Sequence, residues 1–489
     1  MGLRTRIRGR WVIGYDGGHR IIPHGEVVFE DGRIVFVGRG YQGPADRQID
    51  AGDKLVGPGL INLHAVANVD LQLFRIDVDS PGFPKQRQWV EDLAAGEVLS
   101  DVEIEASARF SVACILRGGA TTFGAITTMA PKRWEDPRDE PEQIARAAGE
   151  LGGRAYVAHQ YRAYVNYWDG AASGTLANEP RALAALDRAR AFARRIDGAH
   201  GGRIRPYFFP YTLDASTPDV LRASKAAADE FGTHLRTHFS QSRHEVQTIQ
   251  QRYASTPVRY LADLDVLDRN VILTHALYIA GNGPYDDPHD DDLRLIAEHG
   301  TTICHCPLVY LRRGQSLHSF ERYRRAGINL GLGTDTFPQD IIREMRDAAL
   351  ASKFEHADPT AGTAAAVYDA ATLGGARALG REDLGRLAPG ARADILIVDL
   401  NRLHVGPVAD PIRALVYHAT AADIDRVLVD GRIIVEGGRL LTADEDELVR
   451  RAQAPYDRYK ATFSTWDRER RPSETLFPPA LRIRRVDAP

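Results

Sequence analysis

Two short segments at opposite ends of the chain resemble each other, and this limits the fold more than any other feature. Val27-Val-Phe-Glu-Asp-Gly-Arg-Ile-Val-Phe-Val-Gly38 and Val427-Leu-Val-Asp-Gly-Arg-Ile-Ile-Val-Glu-Gly437 are each a pair of β-branched runs around an Asp-Gly turn. That pattern signals a β-hairpin. The two hairpins can meet in one small sheet, and Arg392-Ala-Asp-Ile-Leu-Ile-Val-Asp-Leu400 adds a strand to it. Between them, strand-like runs alternate with helical stretches. The candidate strands are 59–64, 119–126, 154–159, 204–211, 234–240, 271–275, 301–306 and 329–335. Segments such as 218–231 and 293–299 carry helical periodicity. Eight strand–helix units predict an α/β chain with a (β/α)8 TIM barrel and a small β-sandwich domain built from both termini. The expected boundaries are 1–58 and 386–445 for the two parts of the sandwich and 59–385 for the barrel. Residues 446–489 then form a tail that starts helical and ends Pro- and Arg-rich.

The 489 residues suffice for one large and one smaller domain. The 62 basic and 66 acidic residues leave a formal charge of −4, so no bulk field favours nucleic acid or an anionic membrane. The run Arg468-Glu-Arg-Arg471 reads as a solvated helix face. Three cysteines, Cys114, Cys304 and Cys306, build no disulfide framework, which predicts a reducing cytoplasm. Cys304-His305-Cys306 offers two thiolates on one strand face, but a closed zinc site needs four ligands, and buried strand cysteines are the simpler reading. The N-terminus lacks an apolar core for a secretion signal, and no run is long enough to span a membrane.

In such barrels the chemistry sits where strands end at their C-terminal side. His64, His238, His275, His305 and Asp335 all fall at such ends. His64 with Val66 is notable. Side chains alternate along a strand, so Asn62, His64 and Val66 should share a face. A His-X-His pair there would chelate a divalent ion, and valine ligates nothing. Asn62 is the nearest replacement, giving Asn-X-His, although it reads equally well as a plain strand residue. His64, His238 and Asp335 supply two imidazoles and a carboxylate, the ligand mix of an open catalytic zinc or iron site. Asp335 can also act as general base, and His275 can stabilise negative charge on a carbonyl oxygen.

These motifs resemble the metal-dependent amidohydrolase superfamily, in its triazine-hydrolase and cytosine- or guanine-deaminase-like branch. The matching stretches are Gly57-Pro-Gly-Leu-Ile-Asn-Leu-His64, Gly119-Ala-Thr-Thr122, His238, Thr274-His275, His305-Cys-Pro307 and Gly333-Thr-Asp335. Leu387-Ala-Pro-Gly-Ala-Arg-Ala-Asp394 and Val429-Asp-Gly-Arg432 complete them. The resemblance implies a barrel with a terminal β-sandwich. It also implies His64, His238 and Asp335 as ligands of one divalent ion, zinc or iron(II), with His275 as the catalytic histidine beside it.

Three departures qualify it. Val66 stands where a ligand histidine is expected. Gln241 stands where the deaminase-like pattern has a proton-shuttling glutamate, and an amide cannot transfer protons as a carboxylic acid does. Leu308-Val309-Tyr310 makes a more apolar wall after His-Cys-Pro. No lysine lies in 203–212, which argues against a dinuclear, carbamylated-lysine site. Asn62-Leu63-His64 matches a pattern associated with phenylurea hydrolases. Phe74, Phe83, Trp89, Tyr161, Tyr164, Tyr167 and Trp168 could line an aryl pocket.

The main expectation is therefore a mononuclear metal-dependent hydrolase of a non-ring C–N bond, an N-aryl urea or related amide or carbamate. In it, metal-activated hydroxide attacks while Gln241 orients the substrate. The alternatives are deamination or dechlorination of an N-heterocycle, with Glu245 or Glu344 replacing the shuttle, and a non-catalytic protein of the same fold. The expected partner is a small molecule, with no nucleic acid or membrane, in a homodimer or higher homo-oligomer.

Overall fold

The computed structural model describes all residues except 1–2, 79–97, 130–131, 133, 137–139, 170–171, 280–290, 316–319, 468, 482 and 484–489. Phe83, Trp89 and Arg468 lie outside the described residues. Both Asp-Gly turns form. Asp31 and Gly32 have φ of 50° and 74°, and Asp430 and Gly431 have φ of 47° and 74°, the left-handed pair that a two-residue hairpin needs. The hairpins belong to one nine-stranded sheet. Its strands lie in the order Arg439–Leu440, Arg432–Glu436, Ile424–Val429, Ile395–Val398, Leu55–Pro58, Thr5–Tyr15, His19–Glu30 and Arg33–Gly38, and Arg47–Asp50 also pairs with Thr5–Tyr15. Both chain ends thus build one sheet domain, with its own core of Ile7, Val12, Val27, Ile34, Ile395 and Leu428.

The barrel strands are Leu60–Val66, Ala120–Ile126, Arg154–Val157, Ile204–Pro206, Leu235–Phe239, Val271–His275, Thr302–His305 and Asn329–Leu332. They pair in parallel as two four-stranded halves. Single bridges at Phe208–Leu235 and Ala65–Asp335 join the halves. Strand residues are buried on both faces, as expected of a parallel sheet wrapped in helices. Among the described residues no helix is long and apolar enough to cross a membrane.

The tail is a helix, Glu445–Trp466, that packs on helix Asp101–Arg117. Tyr456 and Phe463 enclose Phe74 together with Phe477. Phe74 therefore belongs to a packed cluster behind the strand-one loop rather than to an aryl pocket.

The sheet domain and the barrel are joined by an ion-pair network. Arg154, 2% exposed on barrel strand three, contacts Asp394 at 3.2 Å and Asp430 at 2.8 Å. The Asp430 amide also donates to Asp394 at 2.8 Å. The acids of two of the sequence motifs thus answer one buried guanidinium. Removing one member of such a group leaves charge buried and unpaired, at a cost of about 3–5 kcal/mol. Arg154→Met should lower unfolding stability by about that amount in urea titrations. A loss under about 1 kcal/mol would show that the joint is held by packing instead.

Candidate active site

Strands one and eight lie side by side because backbone amides clamp them. Val66 N donates to Asp335 O at 2.8 Å, and Asp335 N donates to His64 O at 2.8 Å. Gly333 permits the approach, since a Cβ there would lie 2.8 Å from the Cβ of His64 and 2.9 Å from Cys304 Sγ. Asn62 reinforces the clamp. Its Nδ2 donates to Thr334 Oγ1 at 2.8 Å, and its Oδ1 accepts from the amides of Thr334 and His64 at 3.1 and 3.2 Å. The expectation that Asn62 replaces the missing ligand is thereby corrected, because both polar ends of this fully buried side chain are engaged between the strands.

The clamp sets the Asp335 carboxylate between two rings. His64 Nε2 is 3.6 Å from Oδ1, and His275 Nε2 is 3.7 Å from Oδ2. His238 completes the group. It is perpendicular to His64 at 5.0 Å between centroids and stacked on His275 at 5.5 Å. Its Nδ1 bonds the Tyr211 carbonyl at 2.8 Å. His275 and Asp335 have φ of 82° and 55°, strained values that turn both side chains at the strand ends. Burial holds all three rings neutral, His238 down to about 4 and the other two well below the usual range. Burial, then the nearby Asp70 carboxylate, pushes Asp335 up to about 7, so it can both accept and release a proton near neutrality.

The group opens on a cavity of about 280 Å³ lined by Val66, Asp70, Ile126, Tyr211, His238, Gln241, His275, Tyr310, Arg313 and Asp335. A second cavity, lined by Tyr164, Tyr167 and Trp168, shares Tyr211 and Gln241 with the first. Tyr161 does not join them, being fully buried with its hydroxyl 2.7 Å from Ser224.

His64, His238, Gln241, His275 and Asp335 are thus brought together, and His305 is not. Its ring lies against Phe320, and it does not line the cavity. Cys304 and Cys306 are buried beneath the site, with sulfurs 3.9 Å apart. Neither candidate replacement for the proton shuttle lines the first cavity, and Glu245 lines the second. The Glu245 carboxylate accepts from the amides of Ser240 and Gln241, both at 2.9 Å, and so shapes the loop bearing Gln241. Glu344 accepts from Leu308 N and lines neither cavity.

Two residues were missed. Asp70 sits close enough to Asp335 to raise its pKa, although its own oxygens accept from Thr336, Phe337 and Gln72. Arg236 lies against His64 Nδ1. Its signal was available, because it precedes His238 by two residues and so faces inward with it.

The donor set fits a divalent cation. Nitrogens of His64, His238 and His275 lie within 4.8 Å of one another. His64 Nε2 and His275 Nδ1 are buried without a hydrogen-bond partner. One element is discordant, the Arg236 guanidinium beside His64.

The amidohydrolase family model matches residues 55–434. The chain belongs to this family. It is a hydrolase of carbon–nitrogen bonds other than peptide bonds. It is 30% identical over 92% of its length to 98% of a 5-methylthioadenosine/S-adenosylhomocysteine deaminase of Desulforudis audaxviator. Its fold is similar to that of a zinc-bound adenosine deaminase of Xanthomonas campestris, with TM-score 0.75 and 22% identity over 93% and 98% of the two chains. It is also similar to the zinc-bound atrazine chlorohydrolase of Arthrobacter aurescens, with TM-score 0.74 and 24% identity over 92% and 99%.

The amidohydrolase also carries buried histidines away from the cavity. Burial lowers His234 to about 4 and His305 to about 3, whereas both titrate near 6.5 in an open chain. The unfolded chain therefore binds more protons between about 3 and 6.5, and stability must fall as pH drops through that window. For one such ring the loss between pH 7 and 5 is about 2 kcal/mol. Urea titrations at the two pH values should show a smaller loss for His305→Leu than for the unaltered protein.

Proposed function

We propose that this amidohydrolase is a hydrolytic deaminase of an amino-substituted N-heterocycle, with an aminopurine nucleoside as the first class to test. What carries the reading is the near end-to-end similarity to a purine-nucleoside deaminase, in a chain that keeps His238, His275 and Asp335 on one cavity. The reaction replaces ring C–NH2 by ring C–OH with water and releases ammonia. A divalent cation, when held among these side chains, supplies the charge that acidifies the attacking water.

The rest falls to the chain's own groups. Asp335 takes the proton of the water and returns it to the departing amine, a task suited to a carboxylate set on the cavity between the His64 and His275 rings. Val66 and Tyr310 give the planar ring apolar walls, and Val66 leaves open the space an imidazole would fill. Gln241 can donate its amide N–H to a ring nitrogen but cannot protonate it. Gln241 also favours a second reading, hydrolysis of an N-aryl urea or related amide, in which no ring nitrogen needs a proton.

A panel of aminopurine nucleosides, aminopyrimidines, aminotriazines and phenylureas separates the two, with zinc supplied and ammonia and arylamine measured. Ammonia from a ring amine supports the deaminase. Arylamine from ureas with no ammonia overturns it.

Two variants sharpen the test. Asp335→Asn should lower kcat/KM by about 100-fold or more on whichever substrate is turned over. Gln241→Glu should raise deamination about tenfold or more, because it supplies an acid at the ring. An unchanged rate would place ring protonation elsewhere.

A further inference from the structure

The charged side chains that line the first cavity are Asp70, Arg75, Arg313 and Asp335. Asp335 faces the His64 and His275 rings. Both Asp70 oxygens accept from the backbone, Oδ1 from Gln72 N at 2.9 Å and Oδ2 from Phe337 N at 2.8 Å. The two arginines come from different loops. Arg75 ends the short helix Leu71–Arg75 after strand one, and Arg313 follows the helix Pro307–Leu311 after strand seven. Arg313 is exposed and Arg75 half-buried, whereas Asp70 and His275 are buried, so the arginines stand at the solvent end of the cavity.

Arg312 and Arg313 are neighbours with different employment. Arg312 Nη1 donates to the Phe337 carbonyl at 2.7 Å and serves the fold. Arg313 lines the cavity instead. A tight turn sets it there. The amides of Arg313 and Gln315 both donate to Tyr310 O, at 2.9 and 3.0 Å, and Gly314 has φ of 65°. The Arg313 guanidinium lies 5.7 Å from the centroid of the Tyr310 ring, and the same ring packs edge-on against His275 at 5.1 Å. Its side chain meets that of Gln72, a neutral partner on the strand-one loop. Among the described residues no carboxylate forms an ion pair with Arg313.

Arginine keeps its charge at every working pH. Burial, then the charge of Arg313, lowers Arg75 from its ordinary value, so the two cations are close enough to oppose each other. Like charges gathered at one opening are costly until an anion meets them, and a cleft of one sign concentrates ligands of the other. The planar fork of a guanidinium matches the paired oxygens of a carboxylate or phosphate. The second cavity offers no such excess, because Asp214 and Glu245 line it beside Arg162.

We propose that Arg313, assisted by Arg75, binds a carboxylate or phosphate carried by the substrate, so that this amidohydrolase prefers an anionic amine or amide to its neutral counterpart. The anion sits at the solvent end of the cavity while the scissile carbon faces Asp335 and His275. Arg313 binds a part of the substrate that does not react, and so acts on KM more than on kcat. The proposal rests on the cavity being the hydrolytic site, as proposed above, but not on which C–N bond is broken there.

Two matched pairs test it, with zinc supplied: adenosine with adenosine 5′-monophosphate, and phenylurea with 4-carboxyphenylurea. Calorimetry on Asp335→Asn, in which turnover is slowed, reads binding. The anionic member of at least one pair should bind about tenfold or more tighter, and the pair that shows it tells phosphate from carboxylate. Arg313→Gln should cut that preference to about twofold or less, Arg313→Lys should keep part of it, and Arg75→Gln should lower it about threefold. Added salt should narrow it. In the otherwise unaltered protein, Arg313→Gln should raise KM for the anionic substrate about tenfold and leave kcat within about threefold. Equal binding within both pairs, no binding of either anion, or a preference that survives Arg313→Gln overturns the proposal. The deaminase reading fails separately. Arylamine from 4-carboxyphenylurea, with the preference lost in Arg313→Gln, upholds the arginine site and removes the deaminase. Ammonia from adenosine and its monophosphate at equal kcat/KM does the reverse.

Discussion

The site depends on two hydrogen bonds between the first and last barrel strands. Val66 N to Asp335 O and Asp335 N to His64 O, both 2.8 Å, close the ring of strands and set the carboxylate beside the imidazole. No side chain has to find its partner, because the backbone delivers both. Gly333 and Asn62 serve the same junction, one by omitting a side chain and the other by bonding across it. A parallel barrel closes only where strand ends meet in register, so residues that look catalytic here are held by barrel closure itself.

Two buried guanidiniums divide the electrostatic work. Arg154 has two acids and joins the barrel to the sheet domain. Arg236 has a neutral ring, two hydroxyls and two aromatic faces around it, and its charge is felt by His64, His238, His275 and Asp335. A paired buried charge is costly to break, whereas the Arg236 guanidinium adds to burial in lowering the pKa of the imidazoles around it. The same residue type is thus a joint on strand three and a buried positive charge beside the histidines on strand five.

Much of the fold was legible. The Asp-Gly hairpins and the alternating strand–helix periods depend on local chemistry, on the left-handed freedom of Gly and the apolar runs of buried parallel strands. The helical start of the tail was legible as well, but its docking against Asp101–Arg117 and Phe74 was not, since nothing local announces a partner. In the site, His238, His275, Gln241 and Asp335 converge as their strand ends implied. Asn62 and His305 do not. A period of two gives the face of an ideal strand, and the register of strand one shifts between Asn62 and Ala65. His305 turns outward onto Phe320, which sequence spacing does not report.

By itself the sequence determined the family, the barrel, the terminal sheet and the loss of a ligand at Val66 and of an acid at Gln241. These are matters of residue type and of period along the chain. Only the tertiary structure decided where the remaining groups point. It engaged Asn62 between strands and turned Glu245 toward backbone amides. It also brought Arg236 from strand five against His64 of strand one. The direction of a hydrogen bond is a property of two residues in contact, and that contact exists only once the barrel has closed.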